Sequence, residues 1–234
     1  MTKKKTEKKT EAEEQSSVII SPPDFAIASL LIKGTAPYVQ NKFSQKALNQ
    51  IKADQERGKS AKKRERKAKD FQAIYAGAQH VAEGDWLGIP APAFRNAAIS
   101  VCRICGYAMT KAKLSIFIEA DGVDREDGMP LVKITKGEPR YIEHYVRNET
   151  GVVDLRARPM WQPGWESIVR IRFDLGQFSL DDITNLLIRV GTQVGVGEGR
   201  PDSKKSCGMG WGLFDVVSIL GMQKVVFPRM GQAG

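Results

Sequence analysis

Histidine and cysteine are scarce in this chain, with two and three among 234 residues. The scarcity narrows the chemistry. An odd cysteine count, with Cys102 and Cys105 three apart in a segment that reads as helix, excludes a disulfide framework and suits buried thiols in a reducing compartment. His80, His144 and Cys207 are scattered without paired metal-ligand spacing, so neither a metal nor a cofactor is expected. Nor do two histidines in unrelated contexts suggest a Ser-His-Asp set. Long apolar runs are missing as well. The longest apolar-rich stretch, Phe25 to Ile32, falls far short of the ~20 residues that cross a bilayer. The opening Met-Thr-Lys-Lys-Lys leads into no apolar signal core. The expectation is a soluble, cytoplasmic protein without a membrane partner.

What the chain does have is positive charge in one place. Of a net +9, residues 42 to 69 hold eleven Lys or Arg against Asp54, Glu56 and Glu65, a local balance of +8. Such a run attracts a polyanion, because each neutralised phosphate releases condensed counterions. It reads equally as a solvated helix or mobile arm. Residues 1 to 17 are Lys, Glu, Thr and Ser with almost no apolar content, and are expected to be a disordered tail. One compound domain over 18 to 234 follows, with residues 42 to 70 as a basic helical arm projecting from it. Lys59, Lys62, Lys63, Arg64, Arg66 and Lys67 are the arm's candidate phosphate contacts.

Periodicity gives the elements. Asp24 to Lys33 reads as a buried strand ended by Gly34. Pro92 to Cys105 reads as a helix with Phe94, Ala97, Ala98, Val101, Cys102 and Cys105 facing inward, and Gly106 ends it. Strands are predicted over 113–120, 131–134 and 140–146, with an acidic, solvated turn at 122–128. Ser179, with Asp181 and Asp182 behind it, caps a helix through Val190, after which Gly191 is a natural C′ residue. Leu213 to Ile219 closes the chain as a strand.

Two alternating runs, Val153 to Trp161 and Trp165 to Phe173, predict an antiparallel hairpin. In the register that keeps both apolar rows inside, Arg156, Arg158, Arg170 and Arg172 share one outer face, and Trp161 pairs with Trp165. Guanidinium planes suit phosphates and bases, while salt bridging to Asp154 and Glu166 is the bland alternative. The two tryptophans are candidates for base stacking or for capping a core. Between helix and last strand, residues 191 to 212 carry seven glycines. A dinucleotide fold or Walker loop needs the strand before its glycines and the helix after, so both are excluded. The loop's candidates for approaching a nucleic-acid backbone are Gly197, Gly199, Gly208 and Gly210, with Arg200, Lys204 and Lys205 as cations. Weak catalytic candidates are His144, Tyr141 and Tyr145, although strand alternation turns His144 away from both phenols.

Strand, helix and strand, followed by strand, helix, glycine loop and strand, is the order of an α+β, ferredoxin-like antiparallel sheet with helices on one face. Two sets of residues carry a resemblance. Gly34-Thr-Ala-Pro37 with Lys42-Phe-Ser-Gln-Lys-Ala47, and Gly197-Glu-Gly-Arg-Pro201 with Gly210-Trp-Gly-Leu-Phe214, resemble marks of uncharacterised tailed-bacteriophage proteins. The layout resembles the RAMP superfamily, ferredoxin-like RNA-binding proteins that form backbone or guide-processing subunits of CRISPR effectors. That resemblance implies RNA or single-stranded DNA as partner, with the loop from Gly195 to Gly212 near the nucleic-acid backbone. The leading expectation is a non-enzymatic, phage-encoded nucleic-acid binder, acting singly or as a homo-oligomer or filament. A phage assembly protein and a metal-independent ribonuclease are the rivals.

Overall fold

A computed structural model describes residues 22–43, 49, 52, 53, 55, 56, 69–147, 153–202 and 209–227. The tail over 1–17 and most of the basic arm lie outside the described residues. Of the arm's described positions, 49, 52, 53, 55 and 56 are helical, while 42, 43, 69 and 70 at its two ends are not.

Strand β1 (Phe25–Gly34) alternates as its sequence demands, burying Ala26, Ala28, Leu30 and Ile32 while Phe25, Ile27 and Leu31 take the other face. It lies between β9 (Glu166–Asp174) and β10 (Phe214–Lys224), antiparallel to both. The far edge of β9 is shared. β4 (Ile116–Glu119) runs beside Arg170 to Phe173, and β6 (Pro130–Lys136) beside Glu166 and Ser167. Short strands β3 (Gly88–Pro90) and β5 (Gly122–Val123) flank β6, completing seven strands. β10 is an edge strand, and its ladder with β1 slips twice, between Ser29 and Leu30 and between Leu31 and Ile32.

Helices cover the face of Ala26 to Ile32. Helix α2 (Ala91–Ile104) opens with proline in its first turn and buries Phe94, Ala97, Ala98, Val101 and Cys102 at helical spacing, whereas Cys105, expected in that stripe, caps the helix end and is exposed. Gly106, in the left-handed region at φ +73°, terminates it as expected. Helix α4 (Leu180–Arg189) starts on a reciprocal capping box between Ser179 and Asp182 and buries Ile183, Leu186 and Leu187. All of these join one core with the inner rows of β1 and β9. The fold is therefore mixed α+β with antiparallel sheets.

The structure corrects three expectations. Residues 109–115 form a helix, α3 (Met109–Ser115), before β4 begins, because Ala112 and Ser115, one turn apart, are both buried. Gly191 is no C′ residue: the helix runs on through a π-helical turn, Val190–Val194, and a Cβ at Gly191 would meet the Phe214 carbonyl oxygen at 2.0 Å. The predicted hairpin fails as a pair. β8 (Val153–Trp161) and β9 have the expected bounds but belong to different sheets. A second, three-stranded sheet contains β2 (Tyr38–Val39), β8 and β7 (Pro139–Arg147). Nine residues of β8 match nine of β7, just as nine of β9 match nine of β1, so each strand is paired along its whole length with a different partner. The turn between them is a corner. Trp161 and Trp165 both point into the core against Tyr38, with ring centroids 5.3 and 5.5 Å away. Helix α1 (Phe71–Gly77), capped by Asp70, packs on β8, and its Tyr75 ring lies 5.3 Å from Tyr141.

The two tryptophans differ in one respect that a variant exposes. Trp165 Nε1 donates to the Ala36 carbonyl at 3.0 Å, whereas the buried Nε1 of Trp161 has no partner among the described residues. Trp165→Phe is expected to cost about 1 kcal/mol more than Trp161→Phe in urea unfolding, since only the first breaks a buried hydrogen bond.

Candidate nucleic-acid interface

The small sheet and the glycine loop meet through one carboxylate. On one face of β8 stand Arg156 and Arg158, two residues apart, and His144 of β7 lies opposite Arg156 in register. The loop after the π turn delivers Glu198 to them, its own amide donating to the Val39 carbonyl at 2.9 Å. Arg156 donates to Glu198 Oε1 at 2.9 Å and Arg158 Nε to Oε2 at 2.6 Å. His144 Nε2 is 3.7 Å from Oε1, and its ring stands edge-on to Trp211 with centroids 5.4 Å apart. Burial alone would raise the Glu198 pKa. His144 and the two guanidiniums outweigh it and hold the carboxyl at about 2.

The loop's glycines serve the chain itself. A Cβ at Gly197 would lie 2.6 Å from the Tyr38 ring and from the Val39 carbonyl, one at Gly199 2.6 Å from Trp211, and one at Gly212 1.7 Å from the Val196 carbonyl. All three also have positive φ. Gly210, at φ +65°, is different, because nothing lies within 4 Å of its Cβ direction.

Between this loop, β2 and helix α2 opens a cleft of about 440 Å³. Its walls carry Arg156, Arg200 and the backbone of Gly197 to Gly199 on one side, and Asn96, Ala97 and Ser100 of α2 on the other. Tyr38, Gln40, Asn41 and His80 also line it. Arg200 donates one N–H to the Gly197 carbonyl at 3.0 Å, which sets its guanidinium against the loop. Glu198 and Asp202 are the acids in the lining, and Glu198 is already shared between two arginines.

His80 is held from behind. Its amide donates to Gln40 Oε1 at 2.8 Å, and Nδ1 faces Asp124 Oδ2 at 2.9 Å. Asp124 Oδ1 accepts from Lys42 Nζ at 2.7 Å and from the Glu126 amide at 2.9 Å. Lys42 also reaches Glu126, at 2.8 Å. Burial pushes the Asp124 carboxyl up, but Lys42, the Glu126 amide and His80 outweigh it and leave the pKa below the usual range. Burial likewise lowers the Lys42 ammonium, and its two carboxylates more than offset that. For His80 burial wins over Asp124, so its pKa falls below the ordinary histidine value. The tautomer follows from these directions. An ionised carboxylate only accepts, so Nδ1 carries the proton and Nε2 of the neutral ring keeps its lone pair. His80, Asp124 and Asp127 also bring ligand atoms within 4.8 Å of one another. A cation is already present beside them, because the Lys42 ammonium sits on Asp124.

The predicted four-arginine face does not exist. Arg156 and Arg158 lie on the small sheet, while Arg170 and Arg172 lie on the uncovered face of the large one. Arg170 pairs with Asp121 at 2.8 Å and donates to the Ala120 carbonyl. Arg172 pairs with Glu119 at 2.9 Å and stacks over Phe117 and Phe25, 4.8 and 5.6 Å from their centroids. Trp161 and Trp165 are fully buried and offer no surface to a base. The acidic turn is also corrected: Asp124 is buried, not solvated. His144 is enclosed, Tyr141 donates to Glu143, and Tyr145 is exposed, so the structure does not gather the three into one site. Lys59, Lys62, Lys63, Arg64, Arg66, Lys67, Lys204, Lys205 and Gly208 lie outside the described residues. Among the described members of the predicted set, Arg156, Gly197, Gly199 and Arg200 line the cleft. Sequence reasoning missed Gln40, Asn41, Asn96 and the His80–Asp124 pair, and a histidine and aspartate 44 residues apart give no local signal.

No protein-family model and no curated protein matches this chain, so the likeness to tailed-phage proteins rests on two sequence segments alone. Among solved structures, a chain of the "Cryo-EM structure of the Type III-B Cmr-beta bound to cognate target RNA" superposes with a TM-score of 0.44 at 12% identity. The match covers 86% of this chain and 61% of that one. A superposition that loose assigns neither fold nor function. Among the described residues no helix is long and apolar enough to cross a membrane.

Glu198 supplies a test by pH. Its folded pKa of about 2 lies below the ordinary 4.5, so its stabilising contribution is fully present above 4.5 and is lost as pH falls toward 2. The shift corresponds to roughly 3 kcal/mol. Urea unfolding of wild type and Glu198→Gln is expected to differ by about that amount at pH 7, with the gap closing between pH 4.5 and 2.

Proposed function

We propose that this protein binds single-stranded nucleic acid, RNA or DNA, without turning it over, and that the strand enters the cleft between α2 and the glycine loop. The observation that carries this reading is the cleft's chemistry. Arg156 and Arg200 offer guanidinium N–H groups to phosphate, while Asn41 and Asn96 offer amides to base edges. Its volume of about 440 Å³ lies within the roughly 300–1,000 Å³ of small-ligand sites, enough for one nucleotide rather than a duplex. The chain's +9 charge supports the same partner.

Strand order supports the ferredoxin-like reading. β10, β1, β9 and β4 lie side by side, with α2 between β1 and β4 in sequence and α4 between β9 and β10, the pattern of a split βαβ repeat. A second reading, an assembly protein, is favoured by one observation: edge strand β10 exposes Val217, Ile219, Leu220 and Met222. Sizing without nucleic acid separates the two, because an assembly protein oligomerises unaided. The ribonuclease reading on His144 has no comparable support, since that ring is enclosed between Glu198 and Trp211.

The binding reading is tested by fluorescence anisotropy of a labelled oligonucleotide across salt. Each phosphate contact contributes a slope of about −0.7 in log K against log salt. Arg200→Ala is expected to weaken binding and remove about one contact's slope. Arg170→Ala, on the other sheet and already paired with Asp121, is expected to leave it unchanged. A salt-independent signal would overturn the proposal.

A further inference from the structure

Resting on the binding reading of this cleft, we infer that His80 reads the ribose 2′-hydroxyl of the bound strand, accepting its hydrogen on Nε2 and so favouring RNA over DNA. The argument begins with what the cleft otherwise offers. Arg156 and Arg200 have no acceptor atom at all in their side chains, so both can only donate. Phosphate satisfies them, but phosphate is common to RNA and DNA. The sugar must therefore be recognised by a different kind of group.

His80 supplies that group. His80 is part of the cleft lining, and its Nε2 makes no hydrogen bond to the protein among the described residues. It is not a buried orphan either, as His144 Nδ1 and Trp161 Nε1 are. Its protonation is fixed from behind. Asp124, held ionised by Lys42 and the Glu126 amide, requires the proton on Nδ1 and thereby leaves Nε2 as an acceptor. The ring cannot easily turn away, because its backbone amide is tied to Gln40 Oε1 and Nδ1 to Asp124. Gln40 itself is used up, its Nε2 donating to the Gly88 carbonyl at 2.7 Å and to the Tyr38 hydroxyl at 3.0 Å. A held acceptor in the same lining as two cationic donors matches a nucleotide whose sugar carries a hydroxyl donor. The 2′-hydroxyl is what distinguishes RNA from DNA at such a contact.

Three labelled oligouridylates of one length test this by anisotropy: ribose, 2′-deoxy and 2′-fluoro. The fluoro sugar keeps an RNA-like pucker yet cannot donate. The wild type is expected to bind the ribose strand roughly 5- to 10-fold more tightly than either other strand, the worth of one neutral hydrogen bond. His80→Ala is expected to bring the ratio close to one. A ratio measured within one protein does not move when part of the sample is unfolded, so a merely structural role for His80 leaves it intact. Equal binding of ribose and fluoro strands by the wild type would overturn the inference, as would a ratio that survives His80→Ala. Loss of salt-dependent binding to all three strands would bring down the binding reading with it, a result distinct from equal binding to all three.

Discussion

One carboxylate, that of Glu198, fastens the glycine loop to the small sheet. Two guanidiniums close on it from adjacent outward positions of β8, so the loop cannot leave without exposing a largely buried cluster of opposite charges. Such clusters contribute modestly when intact, yet breaking one costs about 3–5 kcal/mol because the remaining charge is stranded. That asymmetry makes the contact a latch. The glycines then follow as a requirement, since a loop held this tightly leaves no room for Cβ atoms beside Tyr38, Trp211 and Val196. The cleft exists because the loop is held in that position.

A second buried carboxylate, Asp124, does comparable work on the other side of the cleft. It draws together Lys42 from the segment after β2, His80 from the segment after α1, and its own acidic turn. Three stretches of chain far apart in sequence thus converge behind one histidine ring. The ammonium balances the carboxylate, which lets the imidazole stay neutral despite an acid beside it.

Much of the scaffold was legible in sequence because its signals are local. Alternation over Phe25 to Gly34, the apolar stripe of α2 and the Ser179 capping box each report on a few neighbouring residues, and each element formed within a residue or two. Alternation also placed Arg156 with Arg158, and Arg170 with Arg172, correctly within each strand. What it could not give was the partner of each strand. A short connection between two alternating runs looks like a hairpin, but the ladders to β7 and β1 are each nine residues long and captured them separately. The site suffered most from this limit. Glu198 with Arg156, and Asp124 with Lys42, are pairs separated by 42 and 82 residues, and periodicity carries no trace of either.

Strand β10 leaves eleven residues along a free edge, several of them apolar, which is the usual template for fibril growth. Its two slips against β1 change that prospect. Each slip gives β10 an extra residue and twists its rim, so a flat incoming strand meets its donors and acceptors out of step. Contact between neighbouring molecules there would run through side chains rather than through a shared backbone ladder. The irregularity thus lets the rim remain sticky without seeding an endless sheet.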